Sequence, residues 1–236
     1  VRWSATDPTQ NHESYRQGHL PGAVYVSMTS HLAGHGAPTA GRHPLPDPAK
    51  FTEAVRMLGL NDGDTVVVYD AGASSAAASA WWLLRYAGKQ EVYVLDGGLD
   101  AWRDADLPLH AGEVLPRIGS AYLSWGKMPV VGTEQVPAFV HNDGILLDAR
   151  ATERYTGERE PIDPVAGHIP SAVSAPGADL KYGFANCRKA DYLGHSPFTR
   201  ALTPFAGPFS HADRPSSAIP RLWRHPGAGA AAHRGR

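Results

Sequence analysis

The chain has 236 residues, 42% apolar and 19% charged, with a net charge of −1. Charge this close to neutral gives no footprint for nucleic acid or an anionic membrane surface, and no apolar run approaches the roughly 18 residues that a spanning helix needs. The single cysteine, Cys187, excludes an internal disulfide and leads us to expect a reducing, cytoplasmic setting.

The sequence opens at Val1 with no methionine and no leader-like segment, which reads as a fragment or a misplaced gene start. Val1-Arg2-Trp3 has the character of a strand's tail end. Gly18-His19-Leu20-Pro21-Gly22-Ala23-Val24 is a turn-rich entry to an expected strand at Tyr25-Val26. Phe51, Ala54, Val55 and Leu58 recur at helical spacing, and Gly59 stops that helix. Thr65 to Tyr69 is a β-branched run that reads as a buried parallel strand. It breaks at Asp70-Ala71-Gly72 and resumes as an Ala-rich helix ending in Trp81-Trp82-Leu83-Leu84-Arg85. Strand, tight loop and helix together aim backbone N–H groups at one point, a cradle for an anion or a thiolate. The residue at the mouth of this cradle is Asp70. Glu91 to Leu95 is a further strand, followed by a short helix at Leu99 to Trp102. Strands and helices in alternation predict an α/β protein whose parallel sheet is flanked by helices.

The heptapeptide at 18–24 recurs as Gly167-His168-Ile169-Pro170-Ser171-Ala172-Val173, 149 residues on. A repeat of that length is a duplicated domain. Residues 1–112 form the first domain, lacking the start of its first strand, and 113–126 read as a linker. Residues 127–183 begin a second domain, with a helix at Thr133 to His141 and a strand at Ile145 to Leu147. The second domain is expected to be incomplete, because the character changes after Gly183. The stretch 184–236 has no valine, against sixteen before it, and six prolines that would break any long helix. This is the composition of a disordered tail, or of GC-rich coding sequence read out of frame. The abruptness of the change favours the second.

These motifs resemble the tandem rhodanese family, the thiosulfate and 3-mercaptopyruvate sulfurtransferases. The matching stretches are 18–24, Gly41–Pro46 (GRHPLP), Val66–Asp70 with Trp81-Trp82, Leu95–Trp102 (LDGGLDAW), Leu146–Gly157 (LLDARATERYTG) and Glu160–Val173 (EPIDPVAGHIPSAV). The resemblance implies two rhodanese-like domains, the first structural and the second catalytic. It implies sulfane sulfur transfer through a cysteine persulfide, from a small anionic donor to a thiol or cyanide. No metal or organic cofactor is implied, because the persulfide is built on the protein itself. Asp70 would then stand at the nucleophile position of the non-catalytic domain, with capping of the loop and helix as its plainer role.

In the second domain the resemblance calls for a strand, a C-x-x-G-x-T loop and a helix. The offset of 149 places that loop near Ile219, where the sequence has none of these. Cys187-Arg188-Lys189 imitates such a loop. However, Cys187 lies 20 residues past Gly167, whereas Asp70 lies 52 past Gly18. The missing span should hold a helix and the central strand. The chain is therefore expected to be an inactive sulfurtransferase. The alternatives are a non-catalytic binding or regulatory module, and an enzyme working through Cys187.

Arg154, in Glu153-Arg154-Tyr155-Thr156-Gly157, stands where relatives place a guanidinium for the donor's anionic group, and Arg159 is a second candidate. The plainer role for Arg154 is pairing with Glu160 or Asp163. His19 and His168 read as structural residues bonding loop carbonyls. His31, His35 and His43 have no carboxylate or cysteine partner in sequence to suggest a metal site. Trp81 and Trp82 read as core packing on the sheet.

Overall fold

The computed structural model describes Val1 and residues 10–36, 41–71 and 75–179. These divide into two compact units, Val1–Thr133 and a second that begins at Glu134.

In the first unit the β-branched run becomes β1 (Val66–Val68), paired in parallel with β2 (Val92–Val94) in the register Val66–Val92, Val67–Tyr93, Val68–Val94. Between them runs α3 (Ser75–Tyr86), the Ala-rich segment. It buries Ala76, Ala77, Ala80, Leu83 and Leu84 against Val68 and Val92. Small side chains at 76, 77 and 80 let the helix lie close to the sheet. Leu83 and Leu84 fill the space beyond, and each contributes roughly 1.5–3 kcal/mol by burial. The same core takes Phe51 and Val55 from α2 (Pro48–Met57). This helix starts where Asp47 accepts from Ala49 N and Lys50 N at 3.0 Å, with Pro48 at its first position. A second, smaller cluster forms just past the C-terminal end of β1, where Leu99 of α4 (Gly98–Asp104) packs with Leu20 and Tyr69. The α/β class and the parallel strands are as expected from the alternating pattern, whereas among the described residues the face of the pair opposite α3 is open, with Val67 and Tyr93 exposed. The expected strand at Tyr25-Val26 is not among the strands of the described residues. Ser27 instead caps a single π-helical turn at Met28–Leu32, accepting from Ser30 N at 3.2 Å.

The segment 113–126, which composition marks as a linker, is packed on the first unit. Ala121 and Leu123 are buried, and Trp125 meets the rings of Phe51 and Tyr86 edge-on at 5.4 Å each. Gly119 N, Ala121 N and Ser124 N donate to Arg56 O, Leu60 O and Ala87 O. With no partner strand and no periodicity, such a segment carries no sequence signal of its attachment.

The second unit has α5 (Val136–His141), then β3 (Leu147–Asp148) beside β4 (Val173–Ser174), again parallel, and between them α6 (Thr152–Thr156). One device recurs in both units. Tyr15, on α1 (Gln10–Gln17), stacks on His19 and donates to Ala23 O at 2.8 Å. Tyr155 stacks on His168 and donates to Ala172 O at 2.9 Å. The histidines and the accepting alanines are 149 apart, but the tyrosines are 140 apart. Nine more residues thus separate helix and histidine in the second unit, and they form the loop 158–166.

Candidate functional site

In the first unit Asp70 follows β1 and is 4% exposed. Its Oδ2 accepts from Ala76 N and Ala77 N at 3.2 Å each, while its own carbonyl accepts from Leu99 N. The N–H groups that open α3 thus converge on a carboxylate supplied by the chain itself.

In the second unit the loop 158–166 leaves α6 at Gly157 and returns at Gly167, both with left-handed backbone (φ 84° and 92°). The two ends touch: a Cβ on Gly157 would stand 3.3 Å from Gly167 N. A closed loop of nine residues is thereby set into a turn that in the first unit runs straight from Gln17 to Gly18. Glu160 organises it. The Glu160 oxygens accept from Arg154 Nε at 3.1 and 3.0 Å, and from Ile162 N and Asp163 N at 3.0 and 2.9 Å. The Arg154 hydrogen bond, the largest cause, holds the Glu160 carboxyl down to about 2. Arg154 Nη2 donates at 2.7 Å to Asp163 as well. Arg150 forks onto both oxygens of Asp148, reaches Glu160 at 3.4 Å and donates to Gly167 O at 2.6 Å. That fork depresses the Asp148 pKa. Two guanidiniums and three carboxylates thus share one network, in which Arg154 is planar, charged and 18% exposed. This is a geometry that can present a guanidinium edge to a small anion.

Arg159 is exposed, and its backbone N–H donates to Glu153 O. Cys187 and the position near Ile219 lie outside the described residues. His19 is fully buried with Nδ1 2.9 Å from Leu20 O, and His168 Nδ1 is 2.8 Å from Tyr155 O. His31 Nδ1 accepts from Ser27 N, and burial lowers its pKa. Among the described residues no group of three or more His, Cys, Asp or Glu side chains is placed to hold a metal ion. Trp81 Nε1 donates to Val92 O, which ties α3 to β2, and Trp82 stacks on Tyr86. Arg150 was not singled out from sequence. Its signal is the Asp-x-Arg spacing at the end of β3, which lets a guanidinium fold back onto the carboxylate two residues earlier.

Residues 6–105 match the rhodanese-like domain family. The crystal structure of SseA from Escherichia coli, a 3-mercaptopyruvate sulfotransferase of rhodanese fold, superposes with a TM-score of 0.67 at 30% identity. The match covers 80% of this chain and 76% of SseA. The chain belongs to the rhodanese family. Its curated rhodanese relatives include the Mycobacterium tuberculosis protein named "Putative thiosulfate sulfurtransferase SseB", 42% identical over 76% of this chain. They also include the 3-mercaptopyruvate sulfurtransferase of Escherichia coli, 36% identical over 71%. The chain spans 64% of the first relative's length and 60% of the second's. Among the described residues no helix is long and apolar enough to cross a membrane.

Proposed function

We propose that this rhodanese chain holds a small anionic sulfur donor through Arg154, with Arg159 as a second cation, and does not by itself complete sulfur transfer. The observation that carries the reading is Asp70. The described amide cradle of this fold is filled by a carboxylate bound to Ala76 N and Ala77 N. The one thiol in the sequence, Cys187, is too close to Gly167 in the chain to occupy the corresponding place. The relatives named above carry sulfurtransferase names, which supports thiosulfate or 3-mercaptopyruvate as the donor class. A reducing, cytoplasmic setting goes with this reading.

Sulfur transfer in such a site balances as follows. A cysteine thiolate attacks the outer sulfur of thiosulfate, the S–S bond breaks, sulfite leaves with the electron pair, and a persulfide remains. A thiolate or cyanide then takes the terminal sulfur and returns the cysteine thiolate. The test is persulfide formation and turnover with thiosulfate and with 3-mercaptopyruvate, in wild type and in Cys187→Ala. We expect donor binding without turnover in both. Turnover that disappears in Cys187→Ala would overturn the reading in favour of an enzyme acting through that thiol. Donor binding with no turnover for any acceptor is also what a binding or regulatory module would give.

A further inference from the structure

We infer that Asp163 is an internal competitor for the place an anionic donor takes on Arg154, and so sets the donor affinity. The inference rests on the proposed role of Arg154. The two carboxylates on Arg154 are held very differently. Glu160 is 4% exposed and fixed by Arg154 Nε, Arg150 and two backbone N–H groups. Asp163 is 38% exposed and bonds the outer nitrogen, Nη2, at 2.7 Å. Its backbone N–H bonds Glu160 independently of its carboxylate, so the loop keeps that anchor when the carboxylate leaves Arg154.

Charge makes the release necessary. Two guanidiniums already face Asp148, Glu160 and Asp163, so an anion added to the full set meets a net negative cluster. A singly charged carboxylate that replaces Asp163 leaves the count unchanged, and a dianion adds one negative charge where the full set would have gained two. Position agrees with charge. Asp163, with Arg150 and His168, lines a hollow of about 520 Å³ in the second unit, and its carboxylate is bonded to Arg154 Nη2. The ligand class is a small carboxylate or thiosulfonate, able to take Nη2 from solution.

The test is titration of the full chain with thiosulfate and with 3-mercaptopyruvate by calorimetry, for wild type, Asp163→Asn, Arg154→Met and the double variant. Each is checked by thermal melting, and Arg154→Lys replaces Arg154→Met if the latter does not fold. We expect Asp163→Asn to tighten binding about two- to tenfold, the range for relieving one partly exposed ion pair. Arg154→Met should weaken binding, and Asp163→Asn should have no effect in that background. Unchanged or weaker binding in Asp163→Asn, with binding still lost in Arg154→Met, overturns the competitor role while the Arg154 reading stands. Binding unchanged in Arg154→Met, or absent from every protein, overturns the Arg154 reading itself.

Discussion

Tyr155 lies flat on His168, ring centroids 3.8 Å apart and planes within 12°, as Tyr15 lies on His19 at 4.4 Å and the same angle. The contact survives duplication although the spacing between the two residues has grown by nine. The hydroxyl of Tyr15 does two jobs, donating to Ala23 O and accepting from Val114 N. Tyr15→Phe should therefore cost about 0.5–1.5 kcal/mol, and Tyr15→Ala about 3–5 kcal/mol through the cavity it leaves. Urea unfolding followed by tryptophan fluorescence reads chiefly the first unit, which holds Trp3, Trp81, Trp82, Trp102 and Trp125 of the six tryptophans, and Trp223→Phe removes the sixth. A Tyr15→Phe protein with the wild-type midpoint would show that the hydroxyl bonds contribute nothing.

Asp70 caps α3 from inside the protein. Asp70→Ala leaves Ala76 N and Ala77 N buried without that acceptor, at a cost of about 1–3 kcal/mol. Asp70→Asn keeps a side-chain oxygen and should cost less. Equal losses for the two variants would mean that charge, and not hydrogen bonding, is what the helix terminus requires. Hydrogen exchange at the first turn of α3 localises the effect.

Acid should loosen the second unit first around its loop. Glu160 titrates near 2 in the folded chain against an ordinary 4.5, and Asp148 is also held low by Arg150. Carboxyls whose folded values are depressed stabilise the fold fully above their unfolded values. That contribution fades as pH falls from about 4.5 towards 2. Exchange protection of the Ile162 and Asp163 amides, followed by NMR between pH 5 and 2.5, should fall across that window. Glu160→Gln should remove most of the pH dependence, and an unaltered profile in that variant would place the acid sensitivity elsewhere.

Gly157→Ala tests the closure of the loop. At φ 84° an L side chain costs about 1–2 kcal/mol, and the new methyl would stand 3.3 Å from Gly167 N. The expected result is a lower stability of the second unit with faster exchange across 158–166. Gly22→Ala, at φ 75° with nothing near its Cβ, separates backbone strain from crowding. If the two substitutions cost the same, the contact between the loop's ends adds nothing.

The parts of the fold that could be read from sequence are those whose signal is local. Thr65 to Tyr69 is β-branched, Ser75 to Tyr86 is Ala-rich, and Phe51, Ala54, Val55 and Leu58 recur at helical spacing, so β1, α3 and α2 form where expected. Asp70 could be placed as a cap because it stands between strand and helix. The remaining features depend on tertiary contacts. Nothing local tells that Trp125 returns to Phe51, or that Arg150 closes on Gly167 seventeen residues later. Tyr25-Val26 has strand propensity, but Ser27 and His31 bond the backbone there into a helical turn. The loop 158–166 was not read from sequence, because the tyrosines that mark its ends as an insertion are paired only by tertiary contacts, and its carboxylates were legible only as nearby partners for Arg154.

The attachment of 113–126 has a practical consequence for dissecting the molecule. A fragment stopped at residue 105, where the family match ends, would lose Leu123 and Trp125 and expose the aromatic faces of Phe51 and Tyr86. Expression of such a piece would yield inclusion bodies. A protease-resistant module should extend to Thr133, so the functional boundary of the first repeat is set by where its hydrophobic seam is sealed and not by where the ancestral pattern fades.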